Sequence, residues 1–327
     1  MSKLHYYLRR IVVTIFLIFG VASFLFLAFR LMPGDYATVL AGGGASAAEL
    51  EEIRESWGLN QPLYVQYYEY MTNLVTGDFG TSHVSSEPVW NYVKNPLMNS
   101  LILVMPAILV AFVVGSVYGG LLGTRSGTAL ERYGILPPTV AGTTPNFFVG
   151  ILLLLVFSST LGWLPVSGMA TSETYAAIES HYEIYLTGDF WKHYVLPFAT
   201  IVLTFLYYPA LVMRGSVIDV KGQEYTYFQR IAGLPSKTRF KHLMKHSSLP
   251  VITLLPAQTA TAISGLVLIE TVFNWPGIGT LLFESVLARD TPTIQFLFIL
   301  VAVWIIVGNF LVDIFYTVID PRITIED

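Results

Sequence analysis

Six long apolar runs, separated by polar stretches of very different length, set the pattern of the chain. They fall at about residues 11–29, 99–122, 135–161, 194–213, 249–273 and 294–316. Crossing a hydrocarbon core takes roughly 20 helical residues, so each run is predicted to be a membrane-spanning helix. Pro137, Pro138 and Pro145 should kink or unwind the first half of the third run, and Pro197 and Pro209 fall in the fourth. In the second run, Gly115, Gly119 and Gly123 recur every fourth residue, a small-residue ridge that would let another helix approach closely.

The polar stretches carry patterns of their own. Arg30-Leu-Met-Pro-Gly-Asp35 breaks the first helix, and Ala41-Gly-Gly-Gly-Ala45 is a loop. Ser46 followed by Glu49, Glu51 and Glu52 predicts a capped helix reaching Trp57, with acids in its first turn. Residues 62–75, rich in tyrosine (Tyr64, Tyr67, Tyr68, Tyr70), predict a second surface helix closed by Gly77-Asp-Phe-Gly80. A polar loop with Glu173, Glu179, Glu183 and Asp189 occupies 162–193. Asn274-Trp-Pro-Gly-Ile-Gly279 turns the chain before a short amphipathic helix over 280–288.

Residues 224–250 are the polar, basic exception between the fourth and fifth runs, and longer than a turn between spans requires. Tyr225, Phe228, Ile231 and Ala232 fall at helical spacing and predict a short amphipathic helix with an apolar face. Gly233-Leu-Pro-Ser makes a sharp turn, with a positive φ expected at Gly233. Phe240, Leu243 and Met244 predict a second short helix running up to Leu249-Pro250.

Composition changes the picture from a chain with apolar helices to an integral membrane protein. It is 54% hydrophobic and 12% charged, with a mean hydropathy of +0.61, where a soluble domain carries about 25% charged residues. The expected fold is all-α and polytopic. The first run lacks a small-residue cleavage pattern and reads as a retained span rather than a signal peptide. With the N-terminus inside, thirteen Lys and Arg fall on the cytoplasmic side against five outside (Arg30, Arg54, Lys94, Lys192, Arg289). That satisfies the positive-inside bias. Both termini and residues 224–250 are therefore expected in the cytoplasm. The net charge of −4 sums two opposite sides and says little about partners. The chain divides into 1–31 (N-terminal segment and first span), an external segment 32–98, and a core 99–327 of five spans with a cytoplasmic loop at 214–248. Cysteine is absent, so disulfides and thiolate chemistry are excluded.

Little else in the sequence suggests chemistry in this chain. There is no G-x-x-x-x-G-K-[ST] phosphate loop. Gly42-Gly-Gly44 and Gly277-Ile-Gly279 read as turns. His242 and His246 share a helix face at a spacing that can bind zinc, but no H-E-x-x-H surrounds them. They read as a solvated loop helix, while His83, His181 and His193 are a weak lead for metal cargo. Glu270 and Asp313 are acids within the spans, each about three residues from an end, and structural roles are expected for both. The charge of 224–250 is also what any loop at an anionic leaflet carries, at roughly 1 kcal/mol per basic residue. The helix–turn–helix pattern points instead to a docking element.

Glu224-Tyr225, Arg230, Gly233-Leu234 and Leu249-Pro250 resemble the coupling signature of permease subunits of ATP-binding-cassette importers. The dipeptide/oligopeptide/nickel subgroup is resembled along the whole chain. Its motifs include Arg30-Leu-Met-Pro-Gly-Asp35, Gly58-Leu-Asn-Gln-Pro62, Gly77-Asp-Phe-Gly80 and Leu164-Pro-Val-Ser-Gly168. Glu270-Thr-Val-Phe-Asn-Trp-Pro-Gly-Ile-Gly279 and Asp320-Pro-Arg-Ile323 belong with them. Gln229 and Ala232 depart from the family's usual loop, which has a small Ala and a basic residue there. The resemblance implies a six-helix type I importer permease of the plasma or inner membrane, working by alternating access. It implies as partners a second homologous permease, two ATPase subunits, an external solute-binding protein and the bilayer, and no nucleic acid. ATP and Mg would sit on the partner subunits, leaving this chain without cofactor or catalytic residue. Glu224, Tyr225, Phe228, Arg230, Gly233, Leu234, Lys237 and Arg239 would make the ATPase-coupling surface. Peptide is the expected cargo, with oligosaccharide or nickel as alternatives. A stand-alone secondary transporter is the competing class, but no inverted repeat or mid-membrane charge set supports it.

Overall fold

The computed structural model describes residues 3–31, 37, 46–56 and 58–319. Residues 32–35, the 41–45 loop, Trp57, the Asp313 side chain and residues 320–323 lie outside what it describes. In chain order the helices begin with α1 (Lys3–Arg30), α2 (Ala47–Ser56), α3 (Leu63–Thr76), α4 (Val89–Thr124), α5 (Ala129–Gly134), α6 (Leu136–Thr143) and α7 (Asn146–Leu153). A π-helical stretch, Leu154–Thr160, prolongs α7. There follow α8 (Ser172–Ala177), a 3-10 turn (His181–Leu186), α9 (Gly188–Phe205), α10 (Tyr207–Lys221), α11 (Glu224–Ile231) and α12 (Ser236–Ser247). The chain ends with α13 (Leu249–Ile252), α14 (Leu255–Phe273), α15 (Ile278–Ala288) and α16 (Thr291–Ile319). Among the described residues the only extended pairing is an isolated bridge between Thr81 and Pro88.

Five helical segments are long and apolar enough to cross a membrane by length and composition, or six if a bent pair is counted as one span. The bent pair is the third apolar run. Its halves, Ala129–Thr143 and Asn146–Thr160, meet at 103°. Pro145 causes the break: Thr144 ahead of it is extended (φ −78°, ψ 140°), as the ring of a following proline demands. Three helices start well before the apolar runs they carry, α1 among them at Lys3, ahead of the run at 11–29. The helix α4 begins at Val89, ten residues ahead of the predicted span, and continues through Pro96. Likewise α9 begins at Gly188, capped by the Thr187 hydroxyl, which accepts from Phe190 N at 3.2 Å. His193, expected in a loop, therefore lies in this helix with Nδ1 2.9 Å from Asp189 O. The α9–α10 break at Leu206 sits where Pro209 cannot donate to Phe205 O.

The chain divides into two compact units, Met1–Met98 with Gly277–Asp327, and Asn99–Pro276. In the first, α1 packs along α16 and α15 against α16. The tyrosines of α3 divide by face. Tyr67 and Tyr70 lie 5.3 Å from Phe26 of α1, and the Tyr67 hydroxyl meets Ser23 at 2.7 Å, whereas Tyr64 and Tyr68 are exposed. Ser46 and Glu49 make the reciprocal capping box of α2, Ser46 N donating to Glu49 Oε2 (2.7 Å) and Glu49 N to Ser46 Oγ (3.3 Å). Asp290 is fully buried and accepts from Ser82 Oγ, His83 N and Thr293 Oγ1.

In the second unit the glycine ridge of α4 meets α10. A Cβ on Gly119 would lie 2.0 Å from Ala210 O, one on Gly115 2.5 Å from Leu206 O, and one on Gly123 2.9 Å from Arg214 O. Only hydrogen fits, so the two backbones touch. Glu270 is fully buried and accepts from Ser100 Oγ at 2.6 Å. Nearby, Asn99 joins three segments. Its Oδ1 accepts from Tyr185 OH (2.6 Å) and His181 Nε2 (3.0 Å), its Nδ2 donates to Pro276 O (2.7 Å), and its carbonyl accepts from Trp275 Nε1 (3.2 Å).

Candidate functional site

The basic stretch folds as the predicted hairpin of two short helices, α11 and α12. Gly233 sits at the bend with φ +70° and open space around its missing Cβ. The end of α11 is closed by Ala232 N to Phe228 O (2.9 Å), Gly233 N to Arg230 O (3.1 Å) and Leu234 N to Gln229 O (3.1 Å). A left-handed residue at this point lets the last carbonyls be satisfied. Pro235 then leads into α12.

Within the hairpin the expected residues take different stations. Tyr225 turns inward: its ring lies 5.1 Å from that of His246 on α12, and burial pushes its phenol up. Phe228 and Ile231 turn outward and are 64% and 65% exposed, joined by Tyr227 at 63%. The three together make an exposed apolar knob on an otherwise polar helix. Glu224 opens α11 and Arg230 closes it, both exposed and each at the helix end its charge favours. Lys237 is exposed in the first turn of α12, Leu234 is half-buried, and Arg239 donates from Nη2 to Ser236 Oγ at 3.1 Å. The inward tyrosine and outward Phe228 and Ile231 divide what one-dimensional spacing groups as a single face, and Tyr227 replaces Tyr225 in the knob.

At its base the hairpin is keyed to the helices around it. Leu243 and Ser247 of α12 are buried, and α12 packs on α10. Met244 sits over Gly120 of α4, where a Cβ would come 2.3 Å from its Sδ. Lys221, the last residue of α10, donates to Thr124 O (2.8 Å) and Ser126 Oγ (3.2 Å). Arg214, two turns earlier, donates from Nε and Nη2 to Glu131 Oε1. Sequence reasoning missed Glu131, Arg214, Lys221 and the Met244–Gly120 contact as a set. The one signal available was Glu131 itself, a lone acid between Arg125 and Arg132.

The other candidates contribute no further centre. His246 packs on Tyr225, and among the described residues no three His, Cys, Asp or Glu side chains come together as metal ligands. The first unit has a cavity of about 780 Å³ bordered by Arg30, Glu55, Glu69, Asp78, His83 and Gln295, so it carries both signs of charge.

Long apolar helices, one pair of them sharply bent, and a polar helical hairpin with an exposed apolar knob are the features of a polytopic membrane protein. The chain belongs to the family described as the binding-protein-dependent transport system inner membrane component, whose model matches residues 139–325. The N-terminal model of the same transport systems matches residues 3–104. It is 33% identical over 321 residues to the oligopeptide transport system permease protein AppB of Bacillus subtilis, covering 97% of this chain and 98% of that one. It is 34% identical to the probable peptide ABC transporter permease protein y4tP of Sinorhizobium fredii, covering 97% and 98%. It is 33% identical to the glutathione transport system permease protein GsiC of Escherichia coli K12, covering 98% and 99%. The chain is thus a multi-pass permease subunit of an ATP-binding-cassette importer, a transport component and not itself catalytic.

Proposed function

We propose that this permease imports small peptides delivered by an external solute-binding protein, driven by two ATPase subunits that dock on the α11–α12 hairpin. A second, homologous permease completes the path. ATP and Mg belong to the ATPases. Both termini and the hairpin lie in the cytoplasm, as the thirteen-to-five distribution of basic residues favours. Residues 35–96 with 162–193 receive the binding protein, and 99–327 is the transport core. Glu224, Tyr225, Phe228, Arg230, Gly233, Leu234, Lys237 and Arg239 form the coupling element, in which Tyr225 anchors and Phe228 engages. The observation that carries the reading is the knob of Tyr227, Phe228 and Ile231, left bare on a hairpin whose base is firmly buried. Peptide is the cargo that the relatives' names support: oligopeptide, peptide and glutathione, itself a small peptide.

Gly233→Val tests the coupling element. The backbone at φ +70° suits glycine, and a β-branched residue there is strained by about 1–3 kcal/mol. Nothing lies within 4 Å of the new Cβ, and the strain falls on the backbone of the bend. Vanadate-sensitive peptide uptake into vesicles should be lost while the chain still inserts and accumulates. Gly233→Asn, which tolerates the left-handed region, should keep most of it. Normal ATP-driven uptake by Gly233→Val would end the coupling assignment. Cargo is tested separately, by titrating the cognate binding protein with peptides, oligosaccharides and nickel in parallel.

A further inference from the structure

We propose that Glu131 and Arg214 are positioning residues for transport, a strut that carries hairpin movement into the broken third span. The proposal rests on the coupling role assigned above to the hairpin.

The geometry runs through three elements. The helix α10 leads directly into the hairpin: Thr226 Oγ1 of α11 caps back onto Lys221 O at 2.8 Å, and α12 packs on α10. Arg214 projects from the middle of α10 and places two nitrogens on Glu131 Oε1. Glu131 is 8% exposed and is itself held, its backbone N donating to the Thr128 cap (3.3 Å) and its Oε2 accepting from Gly127 N (3.4 Å). It opens α5, and α5 continues through Gly134 and Ile135 into α6, the half-span that ends at the 103° bend. A second contact along the same seam places Tyr207 of α10 over Gly142 of α6, where a Cβ would come 2.3 Å from the tyrosine Cβ. So α10 grips this half-span at both ends, by a ring over glycine near the bend and by charge at the far end. The helix α9 packs on both halves, whereas α10 packs on α6 before the bend and α14 on α7 beyond it.

The two grips resist different motions. A ring lying over glycine can slide along the helix axis. A carboxylate that accepts from Gly127 N and is bound to a guanidinium cannot slide without leaving a poorly solvated charge. The ion pair is therefore the contact that converts a displacement of α10 into a rotation of α5–α6 about Pro145. A purely structural ion pair would stabilise the fold without affecting how much transport each ATP supports.

The test reconstitutes the full chain with its partner permease, ATPases and binding protein in vesicles, reading uptake and ATP hydrolysis together. Glu131→Gln and Arg214→Gln should lower uptake per ATP hydrolysed by about tenfold, a coupling-sized effect, with insertion and hydrolysis largely kept. The exchanged pair, Glu131→Arg with Arg214→Glu, should recover most of the ratio. Should an uncharged variant fail to insert, Arg214→Lys, which keeps the charge and loses the two-nitrogen contact, carries the same expectation. Unchanged uptake per ATP in a variant that inserts, Arg214→Lys included, would overturn the strut. Phe228→Ala with Ile231→Ala is run alongside. If that pair uncouples and the strut variants do not, the strut fails alone. If that pair transports like the wild type, the hairpin reading fails first.

Discussion

Asn99 ties His181 and Tyr185 to Pro276 through one amide, and its two neighbours respond to burial in opposite ways. Burial lowers the His181 pKa from its ordinary value of 6.5 and pushes the Tyr185 phenol up to about 12. Both shifts favour the neutral form, and the hydrogen bonds suit it: Tyr185 OH donates to Asn99 Oδ1, as does His181 with its proton on Nε2. Tyr182, whose ring lies 6.2 Å away, is the other titratable neighbour of the imidazole. The sign of the linkage follows. Below 6.5 the unfolded chain takes up a proton on His181 that the folded chain resists. Stability is therefore complete above the unfolded value and is lost as pH falls through the lowered one. The melting temperature of the detergent-solubilised chain should drop from about pH 7.5 to about pH 5. His181→Gln should flatten the part of that slope due to His181. An identical slope in the variant would show that this ring carries none of the dependence. No signal in the sequence joins positions 99, 181 and 276.

At the scale of elements, the glycine ridge was legible from spacing, and its partner was not. Four-residue recurrence marked α4 as a helix another could approach, but only the folded chain identifies α10, reached through Pro209 and Ala210. The hairpin shows the same limit. Its two helices and the positive φ at Gly233 follow from residue types, whereas the sorting of Tyr225 inward and Tyr227 outward depends on His246 standing opposite. The early starts of α4 and α9 escaped because polar residues in a first turn look like loop until a cap such as Thr187 is seen in place. Adjacent glycines on α4 give a sharp contrast. On Gly119 a methyl would meet backbone, Ala210 O at 2.0 Å, and can be relieved only by parting α4 from α10. On Gly120 it would meet the Met244 thioether, the far end of a flexible side chain. Gly119→Ala should lower stability by about 1–3 kcal/mol or more, and Gly120→Ala by clearly less. Thermal unfolding of the two variants in the same detergent decides it, and equal losses would place the tight contact elsewhere.

For the whole molecule, the apolar runs and the proline that breaks the third could be read from the sequence because membranes leave few ways to satisfy a backbone. The angle could not, since proline specifies a lost hydrogen bond and not the packing that follows. Here the 103° bend separates a half-span packed on α9 and α10 from one packed on α9 and α14. Pro145 both forbids helix at Thr144 and caps α7 (φ −53°, ψ 130°). Alanine at this position would restore the missing N–H and permit helix through Thr144. The bend should then stiffen or straighten. If the import cycle depends on α5–α6 rotating about this point, Pro145→Ala should insert normally, keep ATP hydrolysis in the reconstituted transporter, and lose most peptide uptake. It would resemble the strut variants although it leaves Glu131 and Arg214 untouched. Pro197, inside the regular helix α9, supplies the comparison: Pro197→Ala should keep uptake near the wild-type level. Equal uptake by both proline variants would show that the broken span is a static feature of the bundle and not its hinge.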